Sequence, residues 1–168
     1  MRRLDVLAIA VLFYAGWFGA VVLAPTKYAQ WSLVFPLIMI LYIWARGPLR
    51  RGQCYLAAAI TIVGAAFDFV QIRIGFVELR TDEPLFFPLW LLAIWIMYSC
   101  SMIVLGPFVK VPVRWMILAG GVMGPLSYKS GEFFGVLTFS TPAAFLAYAL
   151  FWSAMFPATV VISKKRYA

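Results

Sequence analysis

The sequence predicts an all-α fold, a polytopic membrane bundle of six transmembrane helices with both termini in the cytoplasm. Three observations predict it. The 168 residues are 65% hydrophobic and 12% charged, too little polar material to coat a water-facing surface. The apolar residues come in runs of about twenty, the length that crosses about 30 Å of hydrocarbon. The 14 Lys and Arg sit in short clusters between these runs, not along one face as a nucleic-acid-binding surface would need.

The expected spans are Leu4–Ala24, Tyr28–Ala45, Cys54–Val77, Leu85–Leu105, Trp115–Gly135 and Pro142–Ser163, together forming a single transmembrane domain over residues 1–168. Arg2 and Arg3 before the first run resemble a signal peptide, but the run is too long for one and reads as an uncleaved helix. Pro25, Gly47 with Pro48, Pro84, and Gly106 with Pro107 punctuate the first four breaks. The fifth, Val136–Thr141, is weak, and no internal repeat stands out.

Charge sets the orientation. With the N-terminus inside, ten basic residues fall on the cytoplasmic side: Arg2, Arg3, Arg46, Arg50, Arg51, Lys110, Arg114, Lys164, Lys165 and Arg166. The four on the opposite side are Lys27, Arg73, Arg80 and Lys129. Short loops are where the retention of Lys and Arg in the cytoplasm governs topology. In a bacterial cell this makes the chain a multi-pass inner-membrane protein. Apart from Asp5, the acids Asp68, Glu78, Asp82, Glu83 and Glu132 all lie on the outer side or in outer halves of helices, the first hint of a site.

The chain has no His, which removes His-ligated haem and any Ser-His or Cys-His pair. The sequence suggests neither a metal nor a cofactor. Cys54 and Cys100 form no CxxC pattern and read as small packing residues.

On the third span Gly64, Asp68, Gln71 and Gly75 recur at steps of four, three and four, so they share one face. A carboxyl group in the outer half of a bilayer costs about 2.5–3.5 kcal/mol on insertion scales, so Asp68 should point inward and have a partner, with Lys129 or Arg73 as candidates. The competing reading is a residue that only pins neighbouring helices together. On the fifth span Gly121, Gly124, Tyr128, Gly131 and Gly135 form a stripe, with Gly120 four residues before Gly124, spacing that suits close helix contact. Pro125 should kink or interrupt this helix. Lys129 and Glu132, three apart, can pair. Trp90 suits the membrane interface, and Trp95 is deeper, where its indole N–H wants an acceptor.

Catalysis finds weak support. Ser127 and Ser130 do not face Lys129 on one helix, and an acid dyad would need Asp68 beside Glu132.

Asp68 in its Gly-flanked helix, Pro88-x-Trp90 with Trp95, and Gly121-x-x-Gly124-Pro125-x-x-Tyr128-x-x-Gly131 together resemble a family of small bacterial inner-membrane proteins classed only as a domain of unknown function. The resemblance spans about Gly64–Gly135. It implies that Asp68, Trp90, Trp95, Pro125, Tyr128 and Gly131 are characteristic positions. It also implies a lipid-linked role, through gene neighbourhoods that include fatty-acid cyclopropanation.

The leading expectation is a polar outer-leaflet cavity lined by Asp68, Gln71, Trp95, Tyr128, Lys129 and Glu132 that binds a lipid or another amphipathic molecule. Gly120, Gly121, Gly124, Pro125, Gly131 and Gly135 serve helix packing. The alternative is a non-catalytic subunit that docks another membrane protein, or a second copy, through the fifth helix. A small transporter and a lipid-acting enzyme follow. Membrane lipids are the expected partners, and nucleic acid is not.

Overall fold

The computed structural model describes residues 3–47, 49–81 and 86–165. Leu85, where the fourth span was expected to begin, and Arg2, Asp82, Glu83 and Arg166, on which the charge asymmetry partly rests, lie outside them. Six helices run in order: α1 (Arg3–Leu23), α2 (Val34–Arg46, preceded by a 3-10 turn at Ala29–Leu33), α3 (Arg51–Arg73), α4 (Leu89–Leu105), α5 (Val113–Phe133) and α6 (Pro142–Lys165). Two three-residue strands, β1 (Val77–Leu79) between α3 and α4 and β2 (Leu137–Phe139) between α5 and α6, pair antiparallel. The weak fifth break is therefore a strand, and the all-α expectation misses this small ribbon.

Five of the six helical segments are long and apolar enough to cross a membrane: α1, the 3-10 turn with α2, α3, α4 with the 3-10 turn after it, and α6. α5 is the exception, because Gly120, Gly121, Gly124, Lys129 and Glu132 dilute its apolar content. Leu4, Leu7, Ile62, Leu126 and Leu150 are among many large apolar side chains left exposed, as in a chain whose outer solvent is lipid. These features mark a membrane protein. Pro125 lies inside α5 without interrupting it.

α4 is the central helix, contacting α1, α2, α3 and α6, while α5 packs most extensively on α6. Its burial follows from composition: Trp90, Leu91, Ala93, Trp95, Met97 and Ile103 are all within the core. Close approach is bought with glycine. A Cβ on Gly64 would sit 2.2 Å from the Trp95 ring, and one on Gly124 would sit 2.2 Å from the Trp152 ring. Gly120 and Gly121 abut the Trp152 carbonyl and Ser153 in the same way. The stripe expected to join helices thus serves α6 of the same chain.

α3 and α5 end identically, and both stop short of the expected Val77 and Gly135. Gly75 (φ 76°) and Gly135 (φ 73°) adopt left-handed backbone. The Phe76 N–H then donates to the Gln71 carbonyl at 2.9 Å, and the Val136 N–H to the Gly131 carbonyl at 3.1 Å, a Schellman end. Gly135 is therefore a helix terminator with nothing near its missing Cβ, not a packing residue.

These parallels expose an internal repeat that the sequence does not announce. Gly64 and Gly124, Asp68 and Tyr128, Gly75 and Gly135, and Val77 and Leu137 are each separated by 60 positions. In the ribbon Glu78 pairs with its own counterpart, Thr138. Trp95 and Trp152, each lying on its glycine, stack on one another with centroids 5.3 Å apart and planes 9° apart. Farther along, Gly106 meets Ser163, the same 57-residue separation as between the two tryptophans. The units α3–β1–α4 and α5–β2–α6 are thus related by an approximate two-fold, with counterparts touching at the ribbon, the tryptophans and the far end.

Candidate functional site

The site is built around Asp68, which is completely buried. α3 carries it near the ribbon end, and three neutral donors from three other helices converge on it. The Trp95 Nε1–H donates to Oδ2 at 2.6 Å. The Tyr128 hydroxyl lies 2.9 Å from Oδ1 and 2.8 Å from Oδ2. The Tyr148 hydroxyl donates to Oδ1 at 2.9 Å. One carboxyl group therefore ties α3 to α4, α5 and α6. α3 packs chiefly on α4, so its link to α5 and α6 runs through long side chains: these hydrogen bonds, and Phe67 stacked on Phe151 at 3.8 Å.

Neither expected cation reaches Asp68. Lys129 is exposed and pairs with Glu132, whereas Arg73 lies over the rings of Phe69 and Phe86, 5.5 Å from each. Both long side chains follow the snorkelling alternative, which keeps a cation near water at no cost in burial. Glu132 is committed to Lys129, so no acid dyad forms with Asp68. Ser127 and Ser130 donate to the Gly124 and Ser127 carbonyls of their own helix at 2.6 Å, which leaves neither paired with Lys129.

Beside this knot lies a cavity of about 270 Å³. Its wall comes from α1, α4, α5, α6 and β2, with aromatic rings predominating: Phe13, Trp17, Trp90, Trp95, Tyr128 and Trp152. α3 contributes nothing to it. Of the six residues expected to line a site, Trp95 and Tyr128 do so, and Asp68 stands one layer behind them. Gln71, Lys129 and Glu132 do not line it. Gln71 lies on α3, buried with no partner for its Oε1 among the described residues. The cavity is accordingly aromatic and apolar where a polar one was expected.

Tyr14 of α1 and Met123 of α5 line the cavity and are also 70% and 65% exposed. The mouth therefore opens sideways between these two helices, which pack elsewhere, α1 on α4 and α5 on α6. Trp90 and Trp152 line the cavity, but their indole N–H groups are themselves buried, with no acceptor among the described residues.

Tyr148 and Trp152 are the residues that sequence reasoning missed. α6 carries no Gly-flanked acid or punctuated motif to single them out. The signal was indirect: the four-three-four spacing of Gly64, Asp68, Gln71 and Gly75 recurs at Gly124, Tyr128, Gly131 and Gly135, and Gly124 needs a large ring against it as Gly64 does. Among the described residues no group of His, Cys, Asp and Glu could hold a metal ion.

No curated protein and no solved structure matches the chain. The model of a family described as a protein of unknown function, DUF2878, matches residues 6–158, and the chain belongs to that family.

Proposed function

We propose that this protein crosses the membrane six times, N-terminus and C-terminus inside, and binds a lipid or another amphipathic small molecule in the cavity beside Asp68. In a bacterial host that membrane is the cytoplasmic one. The observation that carries this reading is the cavity itself: about 270 Å³, walled by aromatic rings, with its mouth at the lipid-facing residues Tyr14 and Met123. Small-molecule sites are mostly apolar with a few polar groups to fix orientation, though commonly somewhat larger. An apolar tail extending out between α1 and α5 accommodates the remainder of a lipid. The topology is supported by the basic residues: Arg46, Arg50, Arg51, Lys110, Arg114, Lys164 and Lys165 all flank helix ends away from the ribbon. The cavity is then in the outer half.

The alternative of a docking subunit has less support, because Gly120, Gly121 and Gly124 already face α6.

Purification in mild detergent followed by mass spectrometry of the extract tests the reading. The wild type should retain a stoichiometric lipid or lipid-like molecule. Ser127→Phe, which fills the cavity from its wall, should fold and lose it. Identical lipid content in wild type and variant would contradict binding at this cavity.

A further inference from the structure

We infer that the cavity takes the hydrocarbon chain of a membrane lipid, end first, and leaves the polar head outside its wall. This rests on the reading that the cavity binds a lipid or another amphipathic molecule, and it adds which part of that molecule is held.

The two-fold repeat carries the inference. Ser127 of α5 answers to the position 60 residues earlier on α3, and there the repeat has Phe67. The Phe67 ring stacks on Phe151 at 3.8 Å and lies edge-on to Tyr148 at 5.0 Å. Those two residues of α6 answer to Ile94 and Leu91 of α4, 57 residues earlier. Ile94, Leu91 and Ser127 all line the cavity. Where α3 faces α6, a phenyl ring fills the gap between the units. Where α5 faces α4, serine leaves it open. The cavity is therefore the place of a missing apolar side chain, and the group that replaces it from outside is hydrocarbon.

The inner wall offers a polar head little to bind. It carries no Lys, Arg, Asp or Glu. Trp95 and Tyr128 donate to Asp68, and the Tyr98 hydroxyl is 3.0 Å from that of Thr159. Ser127 and Ser130 donate to carbonyls of their own helix, and the Trp90 and Trp152 N–H groups are themselves buried. The other polar side chains, Tyr14 and Trp17, are one turn apart on α1, with Tyr14 at the mouth. A charged head drawn inside would lose its hydration without compensation, whereas a chain has none to lose. An apolar cavity of about 150 Å³ stays dry and holds benzene. At about 270 Å³, this one takes more than a single ring, as an inserted chain end does, and the rest of the chain leaves past Tyr14 and Met123.

Full-length protein in proteoliposomes, photolysed with lipids that carry a diazirine, tests this. The probes are a phosphatidylcholine and a phosphatidylglycerol with the diazirine at the end of one acyl chain, and a phosphatidylcholine with it on the headgroup. Peptide mass spectrometry locates the adducts. Leu91 and Leu137 are on the wall and only 4% and 2% exposed, so they report the cavity, while Leu150, 65% exposed, reports the bilayer. The expected result is that both chain-end probes label Leu91 and Leu137 alike and the headgroup probe labels neither. Ser127→Phe, which restores the ring that the repeat has in Phe67, should abolish the wall adducts and keep those at Leu150. Wall adducts from the headgroup probe, or from only one of the two chain-end probes, would overturn the chain inference yet leave the cavity a lipid site. Wall adducts undiminished in the variant would overturn it as well. Adducts at Leu150 with none on the wall from any probe would overturn the cavity reading itself.

Discussion

Asp68 shows how a carboxyl group is accommodated inside a membrane bundle without a cation. Three donors cover both of its oxygens, and each comes from a ring whose body is itself core. The arrangement predicts an asymmetry among substitutions. In Asp68→Asn, the amide nitrogen can occupy the Oδ1 site, where the Tyr128 and Tyr148 hydroxyls can rotate to accept, while the remaining oxygen still receives the Trp95 N–H. The variant should insert and fold with a loss of about 1–3 kcal/mol. Asp68→Leu strands all three donors, each costing about that much, and should fail to yield folded protein. Thermal unfolding in detergent separates the two, and Asn behaving as badly as Leu would mean the hydroxyls cannot rotate. That Asp68 is buried and partnered was legible from its depth in an apolar helix. Its partners were not: spacing along one helix says nothing about which rings of three other helices reach it, and the nearby cations made a more obvious choice.

The helices and the ribbon owe their placement to two different uses of glycine. Gly75 and Gly135 end α3 and α5 with left-handed backbone and open space around them. Gly64 and Gly124 instead receive indole rings where a Cβ would be. Alanine tells them apart. Gly75→Ala and Gly135→Ala should each cost about 1 kcal/mol, the steric penalty of left-handed backbone. Gly64→Ala and Gly124→Ala should cost about 1–3 kcal/mol and also shift the tryptophan emission, since Trp95 and Trp152 must move. Matched costs with unchanged emission would contradict the packing described. Five of the six helical segments follow from apolar run length, and the first four breaks from Gly and Pro. The strands escaped because three residues after a helix end carry no periodicity to read. The repeat escaped because an acid in one unit answers to a tyrosine in the other. Their equivalence is one of position and contact, invisible in residue identity.

At the scale of the molecule, orientation and site are linked: the cavity is in the half of the bundle nearest the ribbon, opposite the basic ends of α2, α3, α5 and α6. Single cysteines placed at Glu78 and Lys165 in a Cys54→Ser, Cys100→Ser background report on this. An impermeant thiol reagent on intact cells should label position 78 and spare position 165, and the reverse would invert the bundle. The question that matters most is what fills the cavity. A density map of the protein in lipid nanodiscs at a resolution that shows lipid atoms answers it directly. The expected map shows a molecule entering the cavity between Tyr14 and Met123 and lying along its aromatic wall, while Asp68 keeps its three donors. A map in which the cavity is closed by the protein's own side chains would contradict a ligand site here.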